Sequence, residues 1–436
     1  MGPEIRVITD ELIDQFTTDR KVISMSHPSD AKSKRSIEDS GLGAARTSNE
    51  AYEEYLKDVL DACPAGRDKV DGDQYFLVGR YADVEQVTTD WKTFSSARGI
   101  LVDRRRPGEM PTVPMLEDDP PLHDGWRGIL NPFFSFQAVN AHAVTVREHV
   151  HSLIDSFIER GSCDFSAEFA IPLAYQTMAS FCVPDIPDVE AAALFALTHE
   201  YHTGATGEIR LSSWEQVVAY VDSYLRRRAA GPGRQDWIDA VLSSGETSAG
   251  VPIPWEDKVT LISDILGSGT THGAIVGLGL HLAANPDDRQ ALAEDSSLHR
   301  SAIEEIIRVF STVTATARFV KTDAEVGGNR FQAGDRLLVF FAAASRDPDK
   351  FKDADRVDIR RRPVKNASFG FGVHRCVGIH LARLQLAVAL EALLERMPDL
   401  SLAEGAEPAY YLNSLQCWTV TSLPMVFSPG RKLGTR

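Results

Sequence analysis

The sequence predicts a mainly α protein with a small β region (α+β), and three observations carry that reading. Apolar residues recur mostly at helical spacing from Ser135 to Phe310, broken by turn signals near Pro184, Gly204, Gly231 and Pro286. Two patches read instead as short strands joined by Gly-containing turns. A late segment, Ile379 to Met397, is apolar nearly all round, which implies a buried helix.

In chain order, residues 1–48 are polar, with the run SHPSDAKSKRSIEDSGLG, and are expected to form a loosely attached arm ahead of one domain over 49–436. The pattern KVDGDQYFLV reads as two strands around an Asp71-Gly72 turn, followed by a helix from Tyr81 to Val87. Helices are expected near Ala191 to Thr203 and Trp214 to Arg227. Trp255 to Asn285 reads as a single helix of about 46 Å crossing the core. Its middle, LGSGTTHGAIVGLG, holds five glycines, each costing about 1 kcal/mol relative to Ala. Close approach of a flat group, or a locally opened hydrogen-bond ladder, would compensate. A second β patch, ARFVKTDAEVGGNRFQAGDRLLVFF, and a strand pair from Tyr410 to Phe427 complete the reading.

Composition narrows the function. With 43% hydrophobic and 25% charged residues the 436-residue chain is an ordinary globular protein, neither collagen-like nor wholly disordered. A net charge of -16 argues against nucleic-acid binding, which needs excess Lys and Arg against phosphate. The longest apolar run is the eight residues Leu337 to Ala344, whereas a membrane helix needs about 20. The N-terminus lacks the basic start and apolar stretch of a signal peptide, so a cytoplasmic location is expected. Five scattered cysteines include no CxxC, which suggests neither a zinc cage nor a disulfide framework.

The most informative stretch is FGFGVHRCVGIHLARLQLAVALEALLERM, residues 369–397, where a Gly-rich loop enters the buried helix. Cys376 stands at that helix's N-terminus, where free N–H groups and the dipole favour a thiolate. Gly370, Gly372 and Gly378 leave space for a flat group against the backbone.

Phe369, Gly372, His374, Cys376 and Gly378 reproduce FxxGx(H/R)xCxG, and the chain resembles the cytochrome P-450 family of haem-thiolate monooxygenases, bacterial soluble type, from about residue 75 onward. The ordered landmarks His123-x-x-x-Arg127, the long central helix, Glu305-x-x-Arg308 and the DADRVDIRR segment extend the likeness. The resemblance implies haem b between the central helix and the cysteine-loop helix, with Cys376 as axial thiolate and sole metal ligand. Phe369 would pack near the ring, and Gly378 belongs to the same loop. His123 and Arg127 would bind the propionates, joined by Arg318 and His374. Glu305 and Arg308 would form a structural triad with Arg356 as third member.

On the oxygen side Thr270 aligns with the family's alcohol, and Thr271 neighbours it. One departure matters: the residue before the alcohol is usually Asp or Glu, and here it is Gly269. Protons are then expected through water held by Ser268, Thr271 or His272, or through the substrate.

The implied activity is insertion of one oxygen atom from O2 into a medium-sized, polar organic substrate of specialised metabolism. Ser311, Thr312, Thr314 and Thr316 would supply the polar lining, and Arg98 with Arg104, Arg105 and Arg106 would suit an acidic or carrier-tethered molecule. No flavin or nicotinamide motif is visible, so electrons are expected from a separate [2Fe-2S] ferredoxin and its reductase. Residues 346–383 hold ten Lys/Arg against five Asp, and that patch, with Arg361 and Lys365, is the expected docking surface. Oxidative coupling, cyclisation or desaturation would share every haem residue, and a non-catalytic haem sensor is the rival outside catalysis.

Overall fold

The structure, a computed structural model, describes residues 49–64, 66–70, 73–100, 112–203, 207–247, 250–267, 269–413 and 417–434. The 1–48 arm, the Asp71-Gly72 turn, Arg104 to Arg106, Gly204 and Ser268 lie outside the described residues.

The chain runs through α1 (Asn49–Ala62), β1 (Arg67–Val70), β2 (Asp73–Val78), α2 (Tyr81–Thr89), β3 (Phe94–Ser95), α3 (Leu122–Leu130), α4 (Phe136–Asn140), α5 (Ala143–Phe157) and β4 (Ser162–Asp164). A π turn, Ser166–Ala170, leads into α6 (Ile171–Cys182), then α7 (Asp188–Thr203), α8 (Gly207–Ala230), α9 (Trp237–Ser243), α10 (Trp255–Gly267), α11 (Thr271–Ala284), α12 (Pro286–Glu294) and α13 (His299–Val309). After β5 (Ala315–Val320), β6 (Ala324–Val326), β7 (Asn329–Phe331), β8 (Arg336–Phe340) and α14 (Phe341–Ala344) comes α15 (Ile379–Arg396). The strands β9 (Ser401–Leu402), β10 (Ala409–Asn413), β11 (Cys417–Ser422) and β12 (Pro424–Val426) follow.

Both β patches exist, and they merge. The β1–β2 hairpin joins the later strands in a five-stranded sheet of order β1-β2-β8-β5-β3. The β2 to β8 pairing is parallel, with Phe76 opposite Leu337, a partnership across more than half the chain that turn signals do not encode. Placing β5 between β8 and β3 buries it on both faces, Arg318 included.

The central helix is two helices. α10 ends at Gly267 and α11 starts at Thr271, with the Gly269 N–H donating to the Gly267 carbonyl over 2.8 Å and the Gly273 N–H to Thr270 over 3.2 Å. The regular i to i+4 ladder is therefore opened at this point. Four of the five glycines are explained by protein packing and not by a flat group, Gly269 against Tyr175 among them. A Cβ at Gly277 would lie 2.3 Å from the Phe310 ring, one at Gly279 2.3 Å from Phe165, and one at Gly273 2.7 Å from Thr312. Burial of those side chains against bare backbone offsets the helix cost.

Candidate active site

The cysteine loop is closed by its own backbone. The Cys376 N–H donates to the Phe369 carbonyl over 2.9 Å, and Gly370 and Gly372 hold φ of +66° and +67°. A Cβ on Gly372 would strike the Thr88 carbonyl at 2.5 Å, so only glycine passes between the loop and α2. Gly378 is the residue preceding α15, and its N–H bonds the Cys376 sulfur. Cys163, Cys182 and Cys417 are buried and Cys63 is half-buried, whereas Cys376 is accessible. It is nevertheless desolvated by surrounding protein, the combination expected of a side chain lining an interior cleft. In the chain alone, burial pushes the Cys376 thiol up, against the Gly378 N–H, Arg127, Arg375 and Arg383. Desolvation opposes a thiolate at this helix terminus, and a bound metal cation would favour it.

Beside it the structure gathers the four predicted cationic and imidazole groups. His123 is buried in α3 and its ring meets that of His374 edge-on, with centroids 4.5 Å apart. Its Nδ1 lies 3.1 Å from Asp124, while Nε2 of both His123 and His374 is buried without a hydrogen-bond partner. Arg127, one turn along α3, donates to the Arg375 carbonyl over 3.1 Å. Arg318 is buried and reaches the Thr316 hydroxyl and the Ala317 carbonyl, neither of them anionic. Burial pushes the Arg318 guanidinium down to about 10, with Asp119 opposing. For His374, burial and then the charges of Arg318, His123 and Arg127 push the imidazole down to about 3. Arg318 and the two unpartnered Nε2 atoms, buried with no carboxylate in contact, are costly unless an anion joins them. A planar, dianionic, iron-carrying group satisfies both this cluster and the accessible thiol, so the residues present fit haem b.

Behind the loop, Glu305 and Arg308 form a buried bidentate pair at 2.7 and 2.8 Å. Arg308 also donates to the carbonyls of Ser345, Ala354 and Arg356, which engages all five of its N–H groups. The third side chain is Arg361, whose Nε stands 3.0 Å from Glu305. Arg356 contributes only a carbonyl and its side chain is exposed, and it is the 361 side chain, five residues on, that reaches Glu305 of α13. Next along α13, Glu304 pairs with Arg383 of α15 at 2.6 Å, and that guanidinium lies 5.3 Å from the Phe369 ring centre. Phe369 itself packs partly buried against the main core.

On the far side, Thr270 precedes α11 and its side chain makes no cap bond. Thr271 opens the helix, and His272 Nδ1 lies 2.6 Å from the Gly269 carbonyl. Of the expected polar lining, Thr314 pairs with the Tyr52 hydroxyl at 3.0 Å and Thr316 serves Arg318. Ser311 and Thr312 are buried nearby. Of the basic run only Arg98 lies among the described residues; it is exposed and lies over Phe319 at 3.9 Å. In the docking patch Arg361 is taken by Glu305 and Lys365 by Glu85 at 2.8 Å, leaving Arg356, Arg360, Arg362 and Arg375 exposed.

Three residues escaped the sequence reading. Glu117 is buried and accepts from the Val113 and Ile100 N–H groups, fastening both ends of the segment that contains the arginine run. Tyr175 and His199 meet at Gly269's side of the break. Only long-range packing brings them there, and no spacing could have signalled it.

The fold and this site define a haem-thiolate protein, and known proteins agree. The cytochrome P-450 family model matches residues 285–407, which carry α13 and the cysteine loop. Cytochrome P-450 107B1 of Saccharopolyspora erythraea is 30% identical over 369 residues, 82% of this chain and 90% of that protein. The vitamin D(3) 25-hydroxylase of Pseudonocardia autotrophica is 29% identical over 363 residues, covering 81% and 88%. The solved structure of CYP108D1 from Novosphingobium aromaticivorans superposes with a TM-score of 0.79 at 24% identity, over 90% of this chain and 97% of that one. The chain belongs to the cytochrome P-450 family: it is a monooxygenase whose cofactor is haem b. No described helix is long and apolar enough to cross a membrane.

Proposed function

We propose that this monooxygenase holds haem iron through Cys376 alone and inserts one oxygen atom into a medium-sized, polar organic substrate, using electrons from a separate ferredoxin. Arg318 and the unpartnered Nε2 atoms of His123 and His374, buried with no carboxylate in contact, stand beside half-buried Arg127 and an accessible thiol and carry the reading, because they ask for an anionic group at the place where a soft metal ligand waits.

Haem b, when bound, supplies the iron that activates dioxygen. The protein's part is to hold and to exclude. Cys376 would hold the iron as its thiolate, an anion that the Gly378 N–H with Arg127, Arg375 and Arg383 favours. Arg127, Arg318, His123 and His374 would hold the propionates, while Phe369 and the glycines at 370, 372 and 378 shape the loop on the thiolate side. The Glu305–Arg308–Arg361 network fixes that support. Thr270 and Thr271, at the opened ladder, hold and pass protons.

The polar substrate is supported by Ser311 and Thr312; Thr314 and Thr316 do not contribute, since protein groups occupy their hydroxyls. Arg98 supports an acidic group on the substrate or its carrier. Ferredoxin docking is assigned to Arg356, Arg360, Arg362 and Arg375, and residues 49–436 to one catalytic unit, supported by an apolar cluster that draws residues from Tyr52 to Phe427.

The test is a screen of compounds against the ferric protein for a saturable Soret shift, followed by turnover under labelled dioxygen. A product carrying one labelled oxygen supports the reading. A product without it assigns coupling, cyclisation or desaturation instead.

A further inference from the structure

The side chain missing at Gly269 does not leave a gap. A Cβ there would stand 2.6 Å from Cε1 of Tyr175, 3.1 Å from Cζ and 3.2 Å from the phenol oxygen. Residue 269 must be glycine for as long as Tyr175 lies against it. Tyr175 is buried on α6, its ring stacked on Phe195 at 4.9 Å. Its hydroxyl is 3.2 Å from Nδ1 of His199 on α7, within reach for proton exchange. His199 is only half-buried, so the pair runs from a partly solvated imidazole to a phenol laid on the backbone one residue from Thr270. The space of a carboxylate has been taken by a different proton-exchanging group.

We propose that Tyr175 and His199 form the proton relay that replaces the absent acid, feeding the opened ladder at Thr270. The proposal rests on the monooxygenase reading above. Each turnover follows RH + O2 + 2 electrons + 2 protons → ROH + H2O, with the electrons from the one-electron donor protein. As the phenol proton moves inward, His199 returns one to the Tyr175 oxygen and is itself reprotonated from solvent, so the pair is unchanged. When both protons reach the same oxygen atom, that atom leaves as water and the other enters the substrate. When each atom receives one, H2O2 is released, and peroxide therefore reports a failed relay. Both residues are positioning residues acting through Thr270 and water.

The experiment compares wild type, Tyr175→Phe, His199→Phe and Thr270→Ala as haem-loaded proteins. Tyr175→Phe keeps the ring on residue 269 and removes only the hydroxyl. Product per reduced nicotinamide should fall about tenfold, less than the roughly 100-fold typical of a lost general acid because water takes over part of the transfer. Peroxide should rise to match, with unchanged substrate-induced Soret shift and unchanged reduction rate. Adding Thr270→Ala to Tyr175→Phe should change little further. A second readout needs no turnover: Gly269→Ala should lower the thermal midpoint in wild type and much less in a Tyr175→Ala background. Wild-type coupling in Tyr175→Phe, independent multiplication with Thr270→Ala, or an equal Gly269→Ala loss in both backgrounds overturns the relay. A wild type that lacks the thiolate spectrum or produces nothing would instead count against the monooxygenase reading.

Discussion

The Arg361 guanidinium stands 3.0 Å from the Glu305 carboxylate, closing the buried Glu305–Arg308 pair from outside. Arg361 is thereby a framework residue of the thiolate side. Arg361→Ala should destabilise the folded protein by more than about 1 kcal/mol, the ceiling for exposed ion pairs, because its partner Glu305 is buried. Arg356→Ala, which leaves the backbone carbonyl in place, should stay within about 0.5 kcal/mol. Urea denaturation of both variants decides it, and a larger loss from Arg356→Ala would restore that residue to the triad.

The same carboxylate sets an acid limit. Burial raises the Glu305 pKa, but Arg308, the Asp358 N–H and Arg361 outweigh it and hold the group below its ordinary value. A depressed folded pKa contributes stability that is complete above the unfolded value, about 4.3, and is lost as pH falls through the folded value. Glu305→Gln should therefore lose stability at pH 7, by about 3 to 5 kcal/mol for a broken buried pair, and show a shallower further loss below pH 4 than wild type. Parallel acid profiles would mean that other carboxylates set the limit.

Arg318 and Arg127 should differ in how strongly they retain haem. Arg318 is buried without an anion in contact, whereas Arg127 is half-buried. Arg318→Ala should speed haem transfer to apo-globin roughly 10- to 100-fold, corresponding to about 1.5 to 3 kcal/mol. Arg127→Ala should have the smaller effect. Unchanged rates in both remove these arginines from the clamp.

Electron delivery should weaken with added salt, because exposed attraction is screened beyond about 8 Å at 0.15 M. Charge reversal at Arg360, Arg362 or Arg375 should slow reduction by a ferredoxin while leaving substrate-induced spectra intact. Arg361→Glu should lower stability first. A salt-independent reduction rate would move the docking surface elsewhere.

Local chemistry was legible in the sequence where neighbours in the chain are neighbours in space. The loop from Phe369 to Gly378, the His123–Arg127 spacing on one helix face and the Glu305–Arg308 pair are of this kind. What spacing could not tell depends on long-range packing. The α10–α11 break replaced a single helix because the ladder opens at Gly267 to Thr271. Gly277 and Gly279 make room for Phe310 and Phe165, which come from distant segments. Gly269 read as a missing acid, and the Tyr175 that fills its space lies 94 positions away. For the same reason Gly269→Glu cannot simply restore a carboxylate without displacing that phenol.

If Cys376 alone binds the iron, the reduced carbon monoxide complex reports that ligand directly. Wild type and the Ser variants of Cys63, Cys163, Cys182 and Cys417 should all show the red-shifted Soret band of a thiolate-bound haem. Cys376→Ser should lose that band, and its retention in Cys376→Ser would contradict the assignment.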